Sequence, residues 1–387
     1  MRLLIVAGGT GGHIYPALAV ARSLRARPDG PTLRWLGGHR GLEADLVPAA
    51  GIRLTRLAAR SLRTTEADLN AVLDPIRLGL SVPQAAALLA RERPAAIFTT
   101  GGYIAMPVLL AAAPLGIPVV LWDGNVIPGR AVRATARLAR VIAVSFEATC
   151  RALGVAVGSG RPCYVTGTPI RDVGEVDRVE ARRRLQIGPQ ERVLLIFGGS
   201  QTVRRFNTAV TQALARLVER VTVIHVAGED GYAAALAAQE ALPEAARPRY
   251  RPYPFLRDEM LTVLAVADLV VGRAGSSTLA EATALGLPLV VVPYPHAAGH
   301  QRANAASLVE AGAARLVEDD AFDADALLEA SALLDDPAAH LAMSAAAREL
   351  GRPGAAEAVA RLLMSIAGRR PLPDEAEIER LTRGGGA

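Results

Sequence analysis

The sequence predicts an α/β protein made of two doubly wound parallel-sheet domains facing each other across a cleft. Apolar runs of strand length alternate with Ala/Leu-rich segments of helical spacing along most of the chain. The pattern also opens twice in the same way, LLIVAGGTGG at Leu3–Gly12 and LLIFGGSQTV at Leu194–Val203, each an apolar run entering a Gly-rich turn and then a helix. The stretch between the two halves, VGSGRPCYVTGTPIRDVGEVDRVEARRRLQIG, is rich in Gly, Pro and charge and reads as a crossover and linker. With 387 residues, 51% of them hydrophobic, the chain can fill two cores.

In chain order the predicted strands are LLIVA, TLRWLG, AIFTT, VVLW and VIAVS, then VLLIFG, VTVIHVAG, LVVGRAG and LVVVPYP. Residues 94–122 carry no charge, a length that could cross a bilayer. Gly101-Gly102, Pro107, Pro114 and Pro118 interrupt them, and VVLW then resumes, so the segment reads as strand, glycine loop, helix and strand of a buried sheet. The apolar run Leu3–Ala7 stops at glycine, too short for a secretory signal. The tail from Gly368, GRRPLPDEAEIERLTRGGGA, reads as solvated and disordered.

All 43 basic residues are arginine, which excludes Schiff-base chemistry and the lysine-bearing P-loop. Charge is unevenly divided: residues 1–168 carry a net +10 and the remainder −5. The basic half points to an anionic partner. Nucleic acid is disfavoured, since the arginines are scattered and only 4% of residues are aromatic. Cys150 and Cys163 lack metal-ligand spacing and are expected to be reduced, inert thiols.

A strand that ends in glycines before a helix exposes backbone N–H groups at the positive end of the helix dipole, which suits an anion. GGTGGH and GGSQT both fit, but neither spells G-x-G-x-x-G with an acid after the next strand, so a nicotinamide dinucleotide is disfavoured. RAGSSTLAEATALGLP, from Arg273, places Ser276, Ser277 and Thr278 at an expected helix start, with Glu281 three residues after Thr278. Two readings stand side by side there: Glu281 accepts ribose hydroxyls while the serines meet phosphate, or Thr278 and Glu281 form a capping box. PHAAGHQRANA then puts His296, His300, Gln301 and Asn304 at the mouth of another helix.

GGTGGHIYPALAVA, TGGYIAMPVLLAA, VTGTPIR, FGGSQ, RAGSSTLAEATALGLP and HQRANA, in this order, resemble the bacterial N-acetylglucosaminyltransferases of peptidoglycan synthesis. The resemblance runs from Met1 to about Leu363. It implies the two-domain GT-B fold, with a domain over residues 1–168 that meets acceptor and membrane and a nucleotide-sugar domain over 169–344. A helix at about 345–367 then packs back on the first domain. The implied reaction is inverting transfer from UDP-N-acetylglucosamine to undecaprenyl-pyrophosphoryl-N-acetylmuramoyl-pentapeptide, with no cofactor or metal, at the cytoplasmic face of the membrane. Carried over by motif, Thr10, Gly11 and Gly12 line the cleft, Asn125 meets the sugar, and Arg171 and Ser200 serve the diphosphate. The run Ser276, Ser277, Thr278, Leu279, Ala280, Glu281 holds phosphate and ribose, Gln301 reaches sugar hydroxyls, and a uracil contact falls near Leu256 or Arg257. His13 is the candidate general base, with a structural role as its alternative.

Two motifs depart from the family pattern. Trp122-Asp123-Gly124-Asn125 stands where the family usually has His-Glu-Gln-Asn, and Thr202 replaces the last glycine of GGSQG. These keep two other readings open: a glycolipid synthase with another lipid acceptor, and an inactive nucleotide-sugar-binding subunit. Finally, LDPIRLGLSVPQAAALLARERP (Leu73–Pro94) combines Ile76, Leu78, Leu80 and Val82 with Arg77, Arg91 and Arg93. It reads either as a surface for the anionic inner membrane or as an ordinary amphipathic helix on its own sheet.

Overall fold

The computed structural model describes residues 1–387 apart from 40, 59–68, 156–161, 199–203, 257–258, 296–298 and 385–387. For residues 69–78 it describes the backbone only. Chain contacts divide the protein into two units, Met1–Arg171 with Arg352–Ala387, and Asp172–Gly351.

The first unit opens with β1 (Arg2–Val6), α1 (Gly11–Arg25), β2 (Thr32–Gly37), α2 (Glu43–Ala49), β3 (Arg53–Arg56), α3 (Leu69–Glu92) and β4 (Ala96–Thr99). It continues through α4 (Ala105–Ala112), β5 (Val119–Asp123), α5 (Arg130–Thr135), β6 (Val141–Val144), α6 (Glu147–Ala152) and β7 (Cys163–Val165). The second unit holds α7 (Arg178–Arg184), β8 (Val193–Phe197), α8 (Arg204–Val218), β9 (Thr222–Val226), α9 (Glu229–Glu240) and β10 (Tyr250–Tyr253). There follow α10 (Glu259–Val266), β11 (Leu269–Gly272), α11 (Ser276–Ala284), β12 (Leu289–Val291), α12 (His300–Glu310), β13 (Ala314–Leu316), α13 (Ala324–Ser331) and α14 (Pro337–Leu350). The chain then returns to the first unit as α15 (Ala355–Ala367) and α16 (Glu375–Thr382).

Every strand pair is parallel, in the orders β3-β2-β1-β4-β5-β6-β7 and β10-β9-β8-β11-β12-β13. The direction of strand addition reverses between β1 and β4 and between β8 and β11, so each unit has one topological switch point. The interior strands are continuous apolar runs because helices cover both faces. Leu3, Ile5 and Val6 of β1 and Leu194, Leu195 and Ile196 of β8 are wholly buried. The uncharged stretch resolves into β4, a turn at Gly101-Gly102, α4 and β5, and no helix among the described residues is long and apolar enough to cross a membrane.

Three expectations are corrected. The helix expected over 345–367 is two: α14 stays with the second unit, and α15 alone returns to pack on α1. Ser23 Oγ donates to Glu357 Oε2 at 2.5 Å there, beside an Arg27–Glu357 ion pair. Burial of Leu362, Leu363 and Val359 stabilises that contact by about 1.5–3 kcal/mol per side chain. The tail is not disordered through its length. Asp374 caps α16 by accepting from Glu377 N–H at 2.7 Å, Ile378 enters the core, and Tyr164 Oη donates to the Pro373 carbonyl at 2.9 Å. Cys150 and Cys163 are not free thiols: α6 returns against the edge strand β7 and they form a buried disulfide.

A buried polar triad braces the second unit beside the carboxyl end of β9. His225 is 1% exposed; its Nδ1 accepts from Tyr250 Oη at 2.9 Å and its Nε2 donates to Asn207 Oδ1 at 3.1 Å. Burial pushes the imidazole down to about 4. An unfolded histidine takes up a proton near 6.5, so stability present above that pH is lost as pH falls from 6.5 towards 4. The loss amounts to about 3 kcal/mol on that shift. Urea denaturation between pH 7 and 4 should show it, and His225→Gln should flatten that part of the curve.

Candidate active site

His13 lies in the first turn of α1, beyond the turn where Gly9 takes φ +96°. Its ring reaches across the switch point: Nδ1 lies 2.9 Å from the Thr100 carbonyl, just past β4, and Thr100 Oγ1 donates to the His13 carbonyl at 3.1 Å. A carbonyl can only accept, so the proton sits on Nδ1 and the lone pair on Nε2. Gly102, whose φ of +78° favours glycine, lies beside the ring: a Cβ there would stand in ordinary contact, 3.5 Å from Nε2. Burial holds the imidazole below its ordinary pKa, against the Thr100 carbonyl and the Asp123 carboxylate, which raise it. The result is a neutral imidazole with a fixed tautomer, equipped to take a proton at Nε2.

Thr10 caps α1 through its backbone, and its carbonyl takes the N–H groups of His13 and Ile14 at 3.1 and 3.2 Å. Gly11 and Gly12 precede that first intrahelical bond. Pro16 has no N–H to offer the Gly12 carbonyl one turn earlier. The turn therefore presents backbone donors and an acceptor together. The N–H of Gly9 is already occupied, donating to Glu43 Oε2 at 3.0 Å.

Asp123 ends β5 and is 4% exposed. Its Oδ1 accepts the Asn125 backbone N–H at 3.0 Å and Asn125 Nδ2 at 3.3 Å, and Oδ2 accepts Gly129 N–H at 3.3 Å. Burial nevertheless raises its pKa, those hydrogen bonds and His13 opposing. The shortened acid thus holds Asn125 in place. Trp122 is a core residue, 2% exposed, whose indole N–H donates to the Gly167 carbonyl at 3.0 Å. Arg171 is half-buried and ends this unit's first chain segment, past β7.

In the second unit, the helix after β11 begins earlier than a capping box requires. Gly275 is the N-cap of α11, so Thr278 falls in its first turn and Glu281 a turn further on. The cap reading of Thr278 and Glu281 therefore fails. The first intrahelical bond is Leu279 N–H to the Gly275 carbonyl at 3.0 Å, and the N-cap glycine has no side chain to cap the N–H groups of Ser276, Ser277 and Thr278. Ser277 Oγ is buried with no hydrogen-bond partner among the described residues. Leu279 is turned into the core, 2% exposed, while Ser277 and Glu281, four apart, share the other face. This end of α11 offers donors, an unsatisfied hydroxyl and a carboxylate one turn away, a set suited to phosphate beside a diol.

Gln301 on α12 accepts the Tyr294 N–H through Oε1 at 2.9 Å, which leaves its amide NH2 as the outward group. Asn304, wholly buried, donates to the Ala274 carbonyl at 3.5 Å and ties α12 to the β11–α11 turn. Arg273 braces the same turn, with Nη1 on the Val292 carbonyl at 3.0 Å and on Asp319 at 2.6 Å. Ser200 and Arg257, with Thr202 and His296, lie outside the described residues. Motif spacing singles out neither Thr100 nor Glu43. The second glycine cluster, GGHRGLE after β2, is the available signal for Glu43.

Comparison with known proteins identifies the family. The glycosyltransferase family 28 N-terminal domain matches residues 3–144 and the family 28 C-terminal domain residues 193–360. A Moorella thermoacetica protein named UDP-N-acetylglucosamine--N-acetylmuramyl-(pentapeptide) pyrophosphoryl-undecaprenol N-acetylglucosamine transferase is 38% identical over 374 residues, 94% of this chain and 98% of that one. A Methylococcus capsulatus protein of the same name is 39% identical over 370 residues, covering 95% and 99%. This chain belongs to that transferase family. Among solved structures, Acinetobacter baumannii MurG superposes with TM-score 0.74 at 26% identity, over 94% of this chain and 99% of that one. A UDP-N-acetylglucosamine 2-epimerase at 17% identity and TM-score 0.63, covering 97% and 99%, shares the fold alone. The family 28 transferase thus has the GT-B fold and acts as a hexosyltransferase.

Proposed function

We propose that this family 28 chain transfers N-acetylglucosamine from UDP-N-acetylglucosamine to undecaprenyl-pyrophosphoryl-N-acetylmuramoyl-pentapeptide, with inversion at the anomeric carbon. The observation that carries the reading is near-full-length identity of 38–39% to transferases of that name. The uncapped, hydroxyl-rich start of α11 supports it. A muramyl hydroxyl attacks the anomeric carbon, its proton passes to His13 Nε2, and the glycosidic C–O bond to UDP breaks as negative charge gathers on the departing diphosphate. The N–H groups and hydroxyls of Ser276, Ser277 and Thr278, with Arg171 and Ser200, meet that charge. Glu281 takes the ribose hydroxyls, Asn125 and the Gln301 amide take the sugar, Thr10, Gly11 and Gly12 line the donor's cleft, and backbone near Arg257 takes uracil.

On this reading the enzyme works at the cytoplasmic membrane face, where its acceptor is anchored, and exposed groups of the first unit support that. Leu80 on α3 is 64% exposed, and Leu110 and Leu115, on and just after α4, are 47% and 45% exposed. α3 packs against α4 and α4 against α5, whose exposed Arg130 and Arg133 are followed by Arg137. Ile76 and Leu78 belong to the same expectation, but their side chains lie outside the described residues. Apolar insertion and arginine–phosphate attraction are each weak, and together they give reversible attachment.

UDP release with muramyl lipid, with diacylglycerol and with no acceptor tests the function; turnover with muramyl lipid alone is expected. Turnover with diacylglycerol instead makes the protein a glycolipid synthase, and none with either makes it a binding subunit. His13→Ala should lower kcat by about 10²–10⁴-fold with UDP affinity kept. Glu281→Gln should weaken UDP binding in calorimetry while melting like wild type. Sedimentation with vesicles should require anionic lipid, weaken as salt rises and fall in the Leu80→Ser/Leu110→Ser variant; equal binding to neutral vesicles would count against docking.

A further inference from the structure

Glu43 opens α2 and is wholly buried, yet the transfer described above gives it no role. Its two oxygens accept from two different glycine turns: Oε2 from Gly9 N–H and Oε1 from Gly38 N–H, both at 3.0 Å. Gly9 follows β1 and Gly38 follows β2, so one carboxylate ties the ends of adjacent strands. The surrounding glycines are shaped to it. A Cβ on Gly8 would stand 2.7 Å from Oε1, one on Gly37 2.9 Å from Cγ, and one on Gly41, at φ +140°, would collide with Oε2. A Cβ on Gly38 would meet Tyr103 Oη at 2.7 Å and Oε1 at 3.3 Å.

A strand–glycine–helix turn ordinarily offers its N–H groups to a bound phosphate. Here the protein's own carboxylate takes that place at Gly9. We propose that Glu43 is a built-in anion that fills the first glycine turn and thereby positions His13 for the transfer. His13 is four residues past Gly9 along the same turn, and Nε2 can meet a hydroxyl only while that turn keeps its course. With the Gly9 donor already occupied, a second anion at Gly9 would meet like charge and find that N–H taken. The turn after β1 thereby spends its Gly9 donor on Glu43 while it holds the base. This inference rests on the assignment of His13 as base.

Glu43→Gln keeps the volume but turns an NH2 group towards one of the two N–H donors. Gly8→Ala keeps the acid and pushes on Oε1. Each should lower kcat at saturating substrates at least tenfold while leaving the UDP Kd within twofold of wild type. The double variant should be no worse than the poorer single within threefold, since both break one contact. By hydrogen exchange, both variants should lose protection at Gly9 and Gly38 and keep it along β1, a readout that needs no substrate. A folded variant with kcat within twofold of wild type, a UDP Kd that weakens in step with kcat, or unchanged protection at Gly9 would overturn the proposal. Should Glu43→Gln fail to fold, Gly8→Ala decides alone. Wild-type turnover with muramyl lipid tests the function itself separately from these arms.

Discussion

Both units obey one constraint: a parallel sheet covered on both faces can show polar chemistry only at its strand ends. Ile5, Phe98, Leu195 and Val271 are wholly buried, so these central positions are closed to a substrate. At the carboxyl ends the chain must turn into a helix. Where strand order reverses, neighbouring turns diverge to opposite faces and leave a crevice. The His13 to Thr100 hydrogen bond spans that crevice in the first unit, joining the turn after β1 to the turn after β4. The corresponding place in the second unit is bounded by β8 and β11, and the uncapped start of α11 follows β11 directly. Catalytic candidates and nucleotide-binding candidates are therefore products of topology before they are products of side-chain choice.

The same constraint explains which parts of the fold could be read from the sequence. All nine strands anticipated from apolar runs are present, and each is flanked by strands on both sides. The four strands with no such signal, β3, β7, β10 and β13, are the sheet edges. An edge strand pairs on one side only and keeps a solvated flank, so its residues mix polar and apolar: RLTR, CYV, YRPY and ARL. Tertiary context also decided the tail and the cysteines. Ile378 is one apolar residue in a charged stretch, and only packing against α15 and β7 gives it a core. Cys150 and Cys163 meet because α6 folds back on β7, which no spacing motif encodes.

The site was legible where glycine and hydroxyl spacing fixed the backbone, and illegible where a long-range contact gave a residue its role. GGTGGH and AGSST could be located by eye, and both stand at helix starts after strands. Glu43 and Thr100 could not, because their partners lie 34 and 87 residues away. The two helix starts also differ in a way composition does not reveal. Gly9 is satisfied internally by a carboxylate, whereas Ser277 Oγ is buried and without a partner among the described residues. An orphaned buried hydroxyl costs about 1–3 kcal/mol, a cost that a ligand oxygen can offset on binding.

The departure at residues 122–125 can be judged on the same physical grounds. An indole in place of an imidazole would alter recognition if it faced a substrate, but Trp122 is enclosed in the sheet core and spends its single donor on Gly167. Gly167 takes φ +80° there, and a Cβ at that position would run into the side chain of Arg352. The tryptophan thus braces the turn that leads through Thr168 to Arg171. Asp123, one methylene shorter than glutamate, still reaches three N–H donors because the loop through Gly129 folds down to it. Thr149 Oγ1 donates to the Asn125 carbonyl at 2.8 Å, which fixes that residue from the other side. Trp122 and Asp123 both act on the framework, the first on the Gly167 turn and the second on Asn125, which it holds in position.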